Sequence, residues 1–180
     1  MIGLKRGSVK LTAHQKEWYK EAEQTITELK NLLGECAVDI QHIGSTAISS
    51  IHAKPIIDIV VGVCDLEDIS PFIEKLSQNN YIFRGKDIPG QILFVKGDFE
   101  KDIRTHHIHI VKWNGIEWNN YINFRDFLNA FPEKAMAYDL CKQNLARQFS
   151  SDRSRYTAGK QEMIKNLLNE ARLWRSMQQS

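Results

Sequence analysis

Behind Thr12 the apolar positions Trp18, Ala22, Ile26, Leu29 and Leu33 recur every three or four residues, one stripe of an amphipathic helix. Thr12 and Gln15 stand at capping-box spacing, so the helix is expected to open at Thr12. Gly34 supplies its stop. Residues 37–43 read as a strand, broken by Gly44-Ser45-Thr46. The most apolar stretch covers residues 56–63, and its β-branched density predicts a strand covered on both faces. Asp58 interrupts that run. A second helix is expected from Ser70-Pro71 to Asn79-Asn80, with proline at its first position. Strands follow at residues 81–84, 91–96 and 105–111, punctuated by Gly85, Gly90 and Gly97.

From Asn119 onward the period is helical. Phe124, Phe127 and Leu128 belong to one helix, and Phe131-Pro132 divides it from the next, whose face carries Tyr138, Cys141, Leu145 and Phe149. A polar break at residues 150–155 leads to a last helix with Ile164, Leu167, Leu168, Ala171 and Trp174 in register. With no internal repeat and no low-complexity linker, the organisation is one α+β unit with a helical C-terminal third.

Composition narrows this little. The 180 residues suffice for one well-buried core, and 42% hydrophobic with 26% charged residues is ordinary globular usage. Cys36, Cys64 and Cys141 are odd in number and widely spaced, which reads as reduced thiols in a cytoplasmic protein. The basic N-terminus lacks an apolar segment behind it, and no run of about 18 apolar residues exists, so neither a signal peptide nor a membrane span is expected.

Three places carry candidate chemistry. Asp58 lies in an apolar strand, where a carboxylate must be paired, hydrogen-bonded or metal-bound. Read alone, it fits a structural carboxylate as well as a functional one. Gly44, Ser45 and Thr46 form a turn whose backbone and hydroxyls suit phosphate, although such turns are common. In His106-His107-Ile108-His109, strand alternation puts His107 and His109 on one face and His106 on the other. With Asp58 on a neighbouring strand, His107 and His109 make a two-histidine, one-carboxylate cluster for a divalent metal, and His42 is a fourth candidate ligand. The same histidines fit plain hydrogen bonding to one another and to backbone. Arg153, Arg155 and Lys160 add positive charge between the C-terminal helices, for phosphate contact or as a solvated face.

Taken together, His42-Ile43-Gly44-Ser45-Thr46, Lys54-Pro55-Ile56-Ile57-Asp58-Ile59 and His106-His107-Ile108-His109 resemble the hallmark motifs of the GrpB family. Phe124-Arg125-Asp126-Phe127-Leu128, Pro132 and Tyr156-Thr157-Ala158-Gly159-Lys160 resemble its C-terminal pattern. The resemblance runs from the first helix to the last. It implies an α+β fold of the nucleotidyltransferase-like, polymerase β-like kind: a mixed, mostly antiparallel sheet flanked by helices over residues 1–115, and a helical region over 116–180. It also implies a Gly-Ser turn for phosphates and an Asp-x-Asp/Glu pair, with a third carboxylate, for two Mg²⁺.

This chain departs from that pattern at Val60, where the second carboxylate belongs. Histidine stands where a third is expected. Three readings follow. One is a transferase moving a nucleotidyl or phosphoryl group to a small molecule with Mg or Mn. There Gly44, Ser45, Thr46, Lys54, Arg155 and Lys160 hold phosphate, Asp58 is a metal ligand, and His107 or His109 is a ligand or base. Another is a nucleotide- or metabolite-binding domain without chemistry. The third is a hydrolase using Zn, Mn or Ni at the histidine cluster. The partner is expected to be a nucleotide or phosphorylated small molecule. A net charge of +2 and the lack of an aromatic-basic stripe argue against nucleic acid.

Overall fold

The computed structural model describes residues 2–86 and 88–178, so the expected domain limits at 1 and 180 lie outside the described residues. A five-stranded sheet forms from β2 (Ala37–Ile43), β3 (Ile57–Val63), β4 (Ile82–Gly85), β5 (Gln91–Lys96) and β7 (His106–Lys112), in the order β2-β3-β7-β5-β4. Among the described residues only β3 and β7 pair in parallel; the other ladders are antiparallel. A separate two-stranded ladder joins β1 (Leu4–Lys5) to β6 (Ile103–Arg104).

One face of the sheet is covered by α1 (Glu17–Leu33). Trp18, Ala22, Leu29 and Leu33 pack there against Ile57, Ile59, Val61 and Val63 of β3 and Ile108 and Ile110 of β7. The opposite face takes α3 (Ile116–Ala130), whose Trp118, Tyr121 and Ile122 meet Ile43, Val60 and Val111. Both faces of β3 are therefore closed beyond Asp58, which is why the strand is apolar at its other positions. α4 (Pro132–Gln148), α5 (Arg153–Gly159) and α6 (Gln161–Gln178) complete the chain. Their Tyr138, Leu167 and Ala171 form a second core with Phe127 and Leu128 of α3 and with Ile48 and Ile51 of the loop after the Gly44 turn.

Three expected boundaries move. The first helix opens at Glu17 rather than Thr12. Thr12 is held in a bridge with Ala53, each N–H donating to the other's carbonyl at 2.8 and 2.9 Å, so its backbone is committed to a ladder. The second helix begins as a 3₁₀ segment, Leu66–Phe72, closed by a capping box between Asp65 and Asp68, and turns α-helical only as α2 (Ile73–Gln78). The polar break at 150–155 is partly helix. The Asp152 carboxylate accepts the Arg155 N–H as an N-cap, and the buried Tyr156 anchors the short α5. No helix of the described residues is long and apolar enough to cross a membrane.

Candidate functional site

The parallel ladder between β3 and β7 aligns Asp58 with His107 and Val60 with His109. All four side chains thus fall on the α3 face. Both rings turn to one oxygen of Asp58: His107 Nδ1 lies 3.1 Å from Oδ1 and His109 Nε2 lies 3.7 Å from it. His109 Nδ1 is 3.2 Å from the Tyr121 hydroxyl, which donates to Gln91 Oε1 at 2.8 Å. Burial pushes the Asp58 carboxyl up, but the hydrogen bonds and charges of His107 and His109 outweigh it and hold the group below the usual carboxylate range. Asp58 is a carboxylate fixed by two imidazoles.

Gly44 makes this packing possible. Its φ is +72°, and a Cβ there would sit 2.5 Å from Asp58 Oδ2. Glycine is required both for the left-handed turn and for the close approach. Ser45 and Thr46 follow in a one-turn 3₁₀ segment, Ser45–Ala47.

These residues form one wall of a cleft of about 240 Å³ between the sheet and the C-terminal helices. Ser45, Thr46, Lys54, Asp58, His107 and Lys160, all singled out in the sequence, line it together. Lys5, Arg6, Arg104, Lys142 and Arg153 line it too, so seven cationic side chains face one carboxylate among the described lining residues. The ammonium of Lys54 stands 4.4 Å from the centroid of the Tyr156 ring and that of Lys160 stands 4.6 Å from it. Neither forms an ion pair among the described residues.

Lys142 was missed by sequence reading. It is 1% exposed, donates to the His52 carbonyl, and approaches Ser45 Oγ at 3.4 Å and Asp139 Oδ1 at 3.6 Å. Asp139 also accepts the His52 N–H at 2.8 Å and the Gln143 amide at 2.8 Å, tying α4 to the loop that carries Lys54. Burial, reinforced by Lys160 and opposed by Asp139, lowers Lys142 to about 8. Burial, with Lys160 and Arg153, lowers Lys54 to about 8. Lys160 is lowered by burial as well, with Asp58 acting against it.

His42 and Arg155 are not brought to this cleft. His42 pairs with Ile59 and so lies on the α1 face, where Nε2 and Thr46 Oγ1 share a hydrogen bond of 2.9 Å and the ring meets Tyr19. Burial lowers it to about 4, leaving a neutral ring that braces the turn from behind. His106, on the same face, shares a hydrogen bond with Thr25 at 3.1 Å. Arg155 is exposed and pairs with Asp152 beside its own helix start; its neighbour Arg153 reaches the cleft instead.

A sequence profile described as GrpB protein matches residues 8–170. The chain belongs to the GrpB family. It is 39% identical over 173 residues to the glutamate-rich protein GrpB of Alkalihalophilus pseudofirmus, covering 94% of this chain and 99% of that one. The crystal structure of the conserved protein GrpB from Enterococcus faecalis superposes with a TM-score of 0.84 at 30% identity, over 92% of this chain and 99% of that one. The Cid1 poly(U) polymerase, in its MgGTP-bound structure, superposes with a TM-score of 0.53 at 13% identity, over 75% of this chain and 44% of that one. The fold of this GrpB-family chain is thus nucleotidyltransferase-like, as its motifs led one to expect.

The pair of Mg²⁺ ions that such a scaffold implies does not fit these residues. Val60 is fully buried beneath Trp118, so the position offers neither a carboxylate nor access for a cation. Asp58 offers Oδ1 to two rings and packs Oδ2 on Gly44. Among the described residues, no three His, Cys, Asp or Glu side chains are grouped to hold a metal ion.

Proposed function

We propose that this chain binds a nucleotide or another phosphorylated small molecule in the cleft behind the Gly44-Ser45-Thr46 turn. The gathering of Lys54, Lys142 and Lys160 in one cleft with Ser45 and Thr46, against the carboxylate of Asp58, carries the reading. Gathering like charges in a small cleft is unfavourable until an anion fills it, and phosphate oxygens accept from ammonium and hydroxyl donors alike. The volume suits a small ligand. Isothermal calorimetry with a panel of nucleoside triphosphates and sugar phosphates tests it. Saturable binding that competes with inorganic phosphate is expected. A panel that gives no heat at any ionic strength rejects the reading.

The His107–Asp58 pair favours a second reading, transfer of a nucleotidyl or phosphoryl group to a small acceptor. An Nδ1–H donated to the carboxylate would leave Nε2 of His107, a residue that lines the cleft, with a free lone pair. An acceptor hydroxyl oxygen would bond to the phosphorus and lose its proton to Nε2. The bond to the leaving phosphate oxygen would break with its electron pair. Release of pyrophosphate (nucleotidyl transfer) or nucleoside diphosphate (phosphoryl transfer) that depends on acceptor, and that His107→Ala abolishes while binding persists, is the expected signature. Bound nucleotide that yields neither pyrophosphate nor nucleoside diphosphate leaves binding as the whole function.

A further inference from the structure

In a two-metal site, carboxylates hold the cations and the cations hold the phosphates. Here the carboxylate side of that arrangement is reduced to Asp58 alone among the described lining residues. Val60 is sealed under α3, Asp58 Oδ1 faces His107 and His109, and Asp58 Oδ2 packs close to Gly44. The cationic side is overfilled. Lys54 and Lys160 both sit within 5 Å of the Tyr156 ring centroid, two like charges sharing one ring without an acidic partner among the described residues. Lys142 is held at the foot of the turn by the His52 carbonyl and Asp139, beside Ser45 Oγ. Arg153 and Arg6 close the outer rim.

An ammonium is a compact point charge with three donors, so Lys54 and Lys160 can meet several phosphate oxygens at once, while Lys142, its donors turned to His52, Ser45 and Asp139, adds charge beside the turn. The lysines do so without the water shell that Mg²⁺ gives up reluctantly. A metal-complexed phosphate brings less negative charge, and its hydrated cation would stand among seven like charges. We infer that the cleft takes a di- or triphosphate group bare of metal, with Lys54, Lys142 and Lys160 supplying the positive charge that two Mg²⁺ supply elsewhere on this scaffold. The metal complex of the same ligand is the poorer one. This rests on the phosphate-binding reading above and specifies the state of its ligand.

The test is calorimetric titration of the full chain with inorganic pyrophosphate, and separately with ATP, in EDTA and in excess free Mg²⁺. Binding is expected in EDTA and is weakened about tenfold or more by Mg²⁺. Lys54→Met and Lys160→Met, at the partly exposed rim, should each weaken binding in EDTA by about tenfold, the scale of one charge-assisted hydrogen bond. Lys142→Met should do the same, with a thermal melt confirming that the variant folds. Should Lys142→Met fail to fold, the two rim variants decide. Binding that requires Mg²⁺, or that Mg²⁺ strengthens, overturns the inference and leaves phosphate binding standing. Unchanged affinity in both folded rim variants overturns the lysine assignment. No binding of either probe in either condition removes the phosphate reading itself.

Discussion

Lys54 and Lys142 sit among other cations, and that crowding makes their charge sensitive to pH near 8. Burial comes first among the causes, with repulsion from Lys160 adding to it, and each group ends near 8 in the free protein. Bound phosphate would raise both again, because an adjacent anion favours the charged form. At pH 8, binding of a nucleoside triphosphate, whose own phosphates are by then fully ionised, should take up protons. Calorimetry in buffers of different ionisation enthalpy reads this directly, and affinity should fall as pH rises from about 7 to 9. The free protein responds in the opposite sense. Between about 8 and the unfolded lysine value near 10.4 the unfolded chain holds more protons, so folding stability gains as pH rises through that window. Heats that do not depend on the buffer would show that neither lysine meets the ligand.

At the scale of elements, the parallel pairing of β3 with β7 decides which chemistry is open. Alternation places Asp58 and Val60 on one face, and the register sets His107 and His109 opposite them. Restoring the missing carboxylate as Val60→Asp would put a charge among Ile43, Val111 and Trp118, with the His109 imidazole opposite it in the ladder and Asp58 two residues away. The variant should lose at least about 3 kcal/mol, measured by urea denaturation, and gain no Mg²⁺ binding. A variant as stable as the parent that takes up Mg²⁺ would show the position to be merely vacant. Much of this geometry was legible in the sequence. The apolar run around Asp58, the Gly44-Ser45 turn and the alternating histidines are local patterns, and local patterns survive into the fold. What joins distant segments was not. Thr12 carries a helix-cap signal that its bridge to Ala53 overrides. His42 precedes the turn in sequence yet faces α1, because one step along a strand reverses the side. Lys142 stands four residues after Tyr138 and three before Leu145, a spacing that marks the buried face of α4. A lysine at such a position was the available signal.

On the whole molecule, a net charge of +2 conceals a cleft that collects seven cations, and they converge only because two parts of the chain are folded together. Lys5, Arg6, Lys54 and Arg104 come from the sheet side, whereas Lys142, Arg153 and Lys160 come from the helices that follow it. The same junction carries much of the packing. Ile48 and Ile51 belong to a core otherwise made by α3, α4 and α6, and Ile43, Val60 and Val111 are roofed by Trp118. Asp139 and Lys142 add polar ties to His52. Each of those five apolar side chains is worth about 1.5–3 kcal/mol when buried, and together they match the 5–15 kcal/mol by which a domain is stable at all. A fragment of residues 1–115 is therefore expected not to fold on its own. Its amide spectrum should be collapsed, whereas the full chain should unfold in a single transition seen alike by tryptophan fluorescence and circular dichroism. A fragment with dispersed resonances and a cooperative melt would separate the sheet from the helices as independent units. The cleft would then be a seam between two domains rather than a feature of one.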